Sequence, residues 1–246
     1  MTYLSDEENK KFEGDGSKNS KGQDLKTFLE AYDPKAYDDP CNTVDMAVFG
    51  YEGALSDEGS RAGVKIKNIL LVKRGDHPSI GEWAIPGGFV EYREDLDETA
   101  RRELEEETDI KGILPVQVAT HADPGRDPRA RLITTLYTAM VPAVSLIPTA
   151  GDDASEARLF NIKVELINTE REDREGTAFK EVKRFAISLI CDETGEELSG
   201  QALRIEENDG LVSAHKYKKI SSRGIAMDHC NLILDAYLFI KSLLVN

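Results

Sequence analysis

Between Trp83 and Ile110 the chain reads WAIPGGFVEYREDLDETARRELEEETDI, and Glu103, Glu105, Glu106, Glu107 and Asp109 crowd its end. If this stretch is a helix, those carboxylates sit at its negative pole, where anions are disfavoured. Glu103 is four residues from Glu107 and three from Glu106, spacings at which like charges cost a helix roughly 0.2–0.5 kcal/mol per pair. Leu96, Ala100 and Leu104 form an apolar stripe at four-residue spacing. On a helical wheel Glu103 and Glu107 fall beside that stripe, so they should face inward or into a cleft. Clustered inward carboxylates need a counter-charge, and an all-oxygen donor set suits a hard cation, Mg²⁺ or alternatively Mn²⁺. The plainer alternative is a solvated acidic face, balanced by Arg101 and Arg102 one turn away.

The flanking sequence supplies the elements that must position these groups. Asp95 can cap the helix, with Glu98 three positions later completing a capping box. Gly87 and Gly88 allow close backbone approach before it. Thr43 to Tyr51 and Ile66 to Lys73 read as strands, and Trp83 to Val90 as a short strand and loop entering the helix. Trp83 suits core or cleft wall, with an indole N–H that needs a partner. Ile113 to His121 and Leu132 to Val141 read as paired strands, and Ala150 to Phe160 as an acidic turn before a last core strand. Leu25 to Tyr32 predicts a short helix and Met227 to Leu244 a long apolar one.

The spacing from Gly88 through Glu94, Arg102-Glu103, Leu104 and Glu106-Glu107 to Ile110 resembles the Nudix box, the signature of the Nudix hydrolases. One position departs: Asp109 stands where the family has Gly. Asp is one of the few other residues that enters the left-handed backbone region at modest cost, so the loop should keep its shape. The resemblance implies an α+β fold, a Nudix α/β/α sandwich with a mixed sheet. It also implies metal ligation by Glu103, Glu106, Glu107 and the carbonyl of Gly87, with Glu106 shared or water-mediated. Arg102 would orient the cluster, together with Glu94.

Weaker likenesses point to one branch. The YDP segment before the first strand, the loop ADPGRDPRARL, the turn AGDDASEA and the pair Asp228-His229 resemble ADP-ribose pyrophosphatase-like Nudix proteins. They imply hydrolysis of ADP-ribose to AMP and ribose 5-phosphate, and a homodimer. Arg126, Arg129 and Arg131 are the candidates for phosphate contacts, since guanidinium bonds phosphate in a bidentate fork; a solvated loop neutralising an acidic protein is the alternative. Either Glu156 or a box glutamate such as Glu106 or Glu107 would act as base, with Asp152 and Asp153 behind Glu156. For Asp228-His229 a capping and core role is the simpler reading. Two other readings stay open: a non-catalytic sensor of ADP-ribose-type ligands, and a hydrolase of another nucleotide sugar or a dinucleoside polyphosphate. Regulators of this branch carry a DNA-binding winged helix after the last Nudix helix, which this sequence does not show.

Whole-chain properties bound the rest. The 246 residues suffice for one large domain. We divide them into a flexible extension (1–24), a core (25–160), an insertion with a β-hairpin (161–222) and a final helix (223–246). The hairpin is read from Phe185 to Cys191 and Gln201 to Glu206 flanking DETGEELSG. With 31 basic against 46 acidic residues the net charge is −15, which repels nucleic acid. Cys41, Cys191 and Cys230 are scattered and odd in number, against a zinc site or disulfide framework. No apolar signal segment or membrane span is apparent, so the expected location is the cytoplasm.

Overall fold

A computed structural model describes residues 4–36, 38–54, 61, 63–149 and 154–244. The chain divides into two compact units, Met1–Asp39 and Pro40–Asn246. The first unit holds helix α1 (Asp6–Asn9), capped by Ser5 in a capping box with Glu8, and helix α2 (Leu25–Ala31), capped by Asp24. Neither helix has a buried residue.

The second unit is built on one large mixed sheet. Its strands are β1 (Cys41–Glu52), β2 (Lys65–Arg74), β3 (Trp83–Ala84), β4 (Gly87–Phe89), β5 (Val116–His121) and β6 (Leu132–Pro142), then β7 (Ala154–Asp173), β8 (Phe179–Ile190), β9 (Glu197–Asn208) and β10 (Ser213–Arg223). Helix α3 (Leu96–Thr108) follows β4 and helix α4 (His229–Leu244) follows β10. The order across the sheet is β10-β9-β8-β7-β2-β1-β6-β5, with β3 on β2 and β4 on β1. Among the described residues β1 and β6 pair in parallel and the other named strand pairs are antiparallel, with one isolated parallel bridge between Trp83 and Ile225.

Alternation along the strands separates two cores. On one face Val44, Met46, Val48 and Leu70 pack with Ala100 and Leu104 of α3. On the other, Ala47, Phe49, Ile69 and Leu71 pack with Leu232, Ile233 and Leu234 of α4. This is the expected sandwich, with α3 and α4 on opposite faces. Trp83, fully buried, meets Phe160 edge-on and donates its indole N–H to Glu196 Oε1 at 3.0 Å.

The region after residue 160 continues the core sheet. β7 runs for 20 residues, pairs with β2 through its first part and with β8 from Asn161 onward. β8 and β9 pair as a hairpin within a continuous antiparallel meander of β7 to β10 that extends the core sheet. The sequence pattern is muted in the second half of β7 and along β10, where nearly every residue is exposed. The enlarged sheet also curls. β5 and β10 are its two terminal strands, yet His121 of β5 and Tyr217 of β10 both approach Asp235 of α4. Every strand except β4 contributes to the apolar shell around α4, whose residues 229–236 are all buried. No helix among the described residues is long and apolar enough to cross a membrane.

Candidate active site

A cavity of about 550 Å³ opens where β1, β4, α3, the β5–β6 loop and the start of α4 meet. α3 starts as its sequence predicts: Asp95 accepts from Glu98 N–H at 2.8 Å and Glu98 accepts from Asp95 N–H at 3.0 Å. It ends at Asp109 in the left-handed region, φ 54° and ψ 19°. That is the conformation the Gly of the motif would supply.

Within the helix, Arg102 organises the acidic groups. Its Nε and Nη2 donate to the two oxygens of Glu94 at 2.7 and 2.9 Å, and its Nη1 donates to Glu103 at 2.7 Å and Glu106 at 3.0 Å. Its Nη2 also reaches the Phe89 carbonyl at 3.1 Å, tying the helix to β4. Glu103 lines the cavity, and burial raises its pKa against the opposing pull of Arg102. Glu107 lies deeper. It accepts from Gly87 N–H at 2.9 Å, yet burial, with Glu103 and Asp45 adding their charge, pushes it up to about 8. Glu106 sits away from the cavity wall, with its side chain 59% exposed.

A divalent cation fits this donor set. Glu103, Glu107 and Asp45 are close enough to raise the cost of ionising Glu107, and all offer oxygen. Among the described residues no three acidic, histidine or cysteine side chains already converge on one point. Ligation by all of Glu103, Glu106 and Glu107 would thus require Glu106 to turn inward or act through water.

The arginines predicted to bind phosphate separate into three environments. Arg126 is nearly buried and forms a bidentate pair with Asp228, at 3.0 and 3.1 Å, with Asp45 Oδ2 3.6 Å away. Arg129 pairs with Asp127 through Nε and Nη2 at 3.1 and 2.9 Å, and its guanidinium lies 5.5 Å from the Phe89 ring centre, on the cavity wall. Burial raises the Asp127 carboxyl, but Arg129 outweighs it and holds the group below its usual range. Arg131 reaches only the Leu132 carbonyl, at 3.4 Å, and does not line the cavity. Glu156 also lies off the wall, held by Arg158 Nε at 2.8 Å and Lys73 Nζ at 3.0 Å, which lower its pKa and make it a weak base. Asp152 and Asp153 lie outside the described residues.

Asp45, Arg74 and Asp127 are among the wall residues that escaped the sequence reading. Asp45 interrupts the apolar run of β1, accepts from Thr134 Oγ1 at 2.6 Å and lies 4.0 Å from His229 Nε2. A carboxylate between Val44 and Met46 was the available signal. Arg74, at the end of β2, donates to the Pro78 carbonyl at 2.7 Å, and burial lowers its pKa. Asp127 lies on the same loop as Arg129. His229, fully enclosed, is held below its usual pKa by burial and accepts from Ile85 N–H through Nδ1. Its neutral ring therefore carries the proton on Nε2, towards Asp45. Asp228 and His229 thus join α4 to the cavity floor.

The NUDIX domain model matches residues 55–180, just over half of the chain. This chain belongs to the Nudix family. The ADPR responsive transcriptional repressor NtrR of Acinetobacter baylyi is 38% identical over 116 residues, which cover 46% of this chain and 42% of that protein. The ADP-ribose pyrophosphatase of Methanocaldococcus jannaschii is 39% identical over 98 residues, 40% of this chain and 57% of that one. The chain spans about half the length of the curated relatives it matches. Among solved structures, a MutT/nudix family protein from Enterococcus faecalis shares the fold at a TM-score of 0.57 and 24% identity, over 98% of this chain and 76% of that one. The Nudix architecture thus has a solved counterpart that extends over the meander as well as the core.

Proposed function

We propose that this Nudix protein hydrolyses a nucleoside diphosphate linked to another moiety, with ADP-ribose as substrate and AMP and ribose 5-phosphate as products. The observation that carries the reading is that Glu103 and Glu107 line the same cavity as Arg74 and Arg129. A diphosphate bound in such a cavity would meet guanidinium groups directly and the carboxylates through a bridging cation. The identity of about two in five residues to an ADP-ribose pyrophosphatase supports the substrate.

Mg²⁺, or Mn²⁺, bound at the carboxylates would neutralise the diphosphate and lower the pKa of a coordinated water. Glu103 and Glu107 would hold the ion, with the Gly87 carbonyl as a further oxygen and Glu106 through water. Arg102 keeps Glu103 aimed by holding Glu94 and the β4 carbonyl at the same time. Arg129, stiffened by Asp127 and Phe89, presents a guanidinium edge to phosphate. Arg126 anchors α4 through Asp228, and its phosphate contact would require that pair to open. Of the base candidates, Glu107 is buried at the cavity and Glu156 is held elsewhere by two cations, which favours a box glutamate. A cytoplasmic homodimer belongs to the same proposal, supported by the family resemblance and by three free cysteines.

The repressor relative favours a second reading, an ADP-ribose sensor without turnover. One experiment separates them: incubation with ADP-ribose and Mg²⁺, wild type beside Glu107→Gln, with products resolved by chromatography and binding measured by calorimetry. AMP and ribose 5-phosphate from wild type, lost by several orders of magnitude in the variant, are expected. Binding without turnover would replace the hydrolase reading by the sensor, and neither would send the search to other nucleoside diphosphates.

A further inference from the structure

Phe89 stands out among the apolar residues that line the cavity. Val44, Val72, Ile85 and Leu132 are buried, whereas Phe89 is 47% exposed. An aromatic side chain held open to a cavity offers a flat apolar surface for a ligand to cover. Its backbone is fixed on both sides. The Phe89 carbonyl accepts from Arg102, the arginine that organises the glutamates, and Val90 N–H donates to the Asn42 carbonyl at 3.0 Å. The Arg129 guanidinium rests over the ring and is itself held by Asp127.

Alternation along β4 sets the direction of the ring. Gly88 faces Glu103, so Phe89, the next residue, projects to the other side of the strand. Directly opposite Phe89 on β1 is Thr43, and side chains opposite one another in an antiparallel pair share a face. Thr43 lines the same cavity and is only 8% exposed. Among the described residues its hydroxyl meets no hydrogen-bond partner. Buried hydroxyls are rarely left so. An open aromatic ring and an unused hydroxyl therefore share one face of the β1–β4 pair, one residue along from the glutamates.

We infer that Phe89 and Thr43 form the subsite for the nucleobase of the ligand. The base stacks on the Phe89 ring and its polar edge bonds the Thr43 hydroxyl, which both donates and accepts. The inference rests on the proposed reading of the cavity as a nucleoside diphosphate site. One ligand then has its diphosphate beside the glutamates and its base at Phe89, with the ribose between them. The subsite serves a hydrolase and a sensor alike.

The test is calorimetric binding of AMP and of ribose 5-phosphate, which is AMP without its base. The full chain is used in Mg²⁺ buffer, as wild type, Phe89→Leu, Phe89→Tyr and Thr43→Val. Wild type should bind AMP the more tightly. Phe89→Leu should weaken AMP by about tenfold or more, the size of one base–aromatic stack, and leave ribose 5-phosphate unchanged. Phe89→Tyr should keep the affinity for AMP. Thr43→Val should weaken AMP severalfold without lowering the melting temperature, because the hydroxyl it removes is unpaired; a merely structural threonine would not divide the two readouts in this way. Equal binding of the two ligands by wild type, equal weakening of both by Phe89→Leu, no rescue by Phe89→Tyr, or indifference of AMP to Phe89→Leu or Thr43→Val would each overturn the inference and leave the diphosphate reading standing. Binding of neither ligand by wild type would remove that reading and the inference with it. Should Phe89→Leu fail to fold, Thr43→Val and the preference of wild type for AMP decide.

Discussion

Gly88 and Glu103 are in such close apposition that a β-carbon on the glycine would lie 2.3 Å from the carboxylate carbon. The obstacle is the far end of a flexible side chain, so the chain can fold around it by moving Glu103. At Gly87 the obstacle is backbone, the Val44 carbonyl oxygen at 2.2 Å. The two neighbouring substitutions should therefore fail differently. Gly88→Ala should keep a melting temperature near that of wild type while losing most divalent-cation affinity and hydrolysis. Gly87→Ala should lower the melting temperature by separating β4 from β1. Calorimetry and activity on the two variants, side by side, check this.

Arg102 makes its contacts through a planar fork that lysine cannot reproduce. Arg102→Lys should leave the helix intact, since Lys is a good helix former. It should lower kcat/KM by about 10²-fold, the upper range for residues that orient metal ligands. A steady-state assay with the circular dichroism spectrum unchanged is the test.

Glu107 makes stability depend on pH with an unusual sign. Its folded pKa lies above its unfolded value, so its contribution is fully present below about pH 4.5 and is lost as pH rises through about 8. His229 works in the opposite direction, its lowered pKa costing stability as pH falls below about 6.5. Between about pH 6.5 and 8 only the Glu107 slope remains of the two. In buffer free of divalent cations the melting temperature should fall across that window. Glu107→Gln should flatten the fall, and added Mg²⁺ should stabilise wild type more at pH 8 than at pH 6.5.

Asp109 carries a β-carbon at a left-handed position and a negative charge at a helix C-terminus. Its exposed contact with Lys111, at 3.4 Å, offsets little of this. Asp109→Gly should raise stability by about 0.5–1 kcal/mol in a denaturant titration.

Glu156 provides an internal control for the choice of base. Bound to Arg158 and Lys73 and absent from the cavity wall, it should tolerate Glu156→Gln with less than a tenfold loss of turnover. A loss as large as that of Glu107→Gln would restore it as the base.

Local signals were legible in the sequence because they depend on short spacings. The capping box at Asp95 and Glu98, the stripe facing the sheet, the left-handed Asp109 and the partner needed by Trp83 all follow from neighbours within a few residues or from one polar atom. The site's depth was not legible, because Asp45, Arg74 and His229 are brought together from positions up to 184 residues apart. The arginines of the β5–β6 loop looked equivalent in sequence; only Asp228 and Asp127, one distant and one adjacent, distinguish them. The full length of β7 and the strand β10 were hidden because strands exposed on both faces lose the alternation that marks a strand.

The helix at the centre of the larger core comes after every strand that surrounds it. During synthesis, all ten strands leave the ribosome before α4 does. Their inner faces then have nothing to cover them until residues 229–240 have cleared the exit tunnel. The core is therefore completed only once α4 has emerged, and the interval before it is when the nascent sheet is most exposed to chaperones and to self-association.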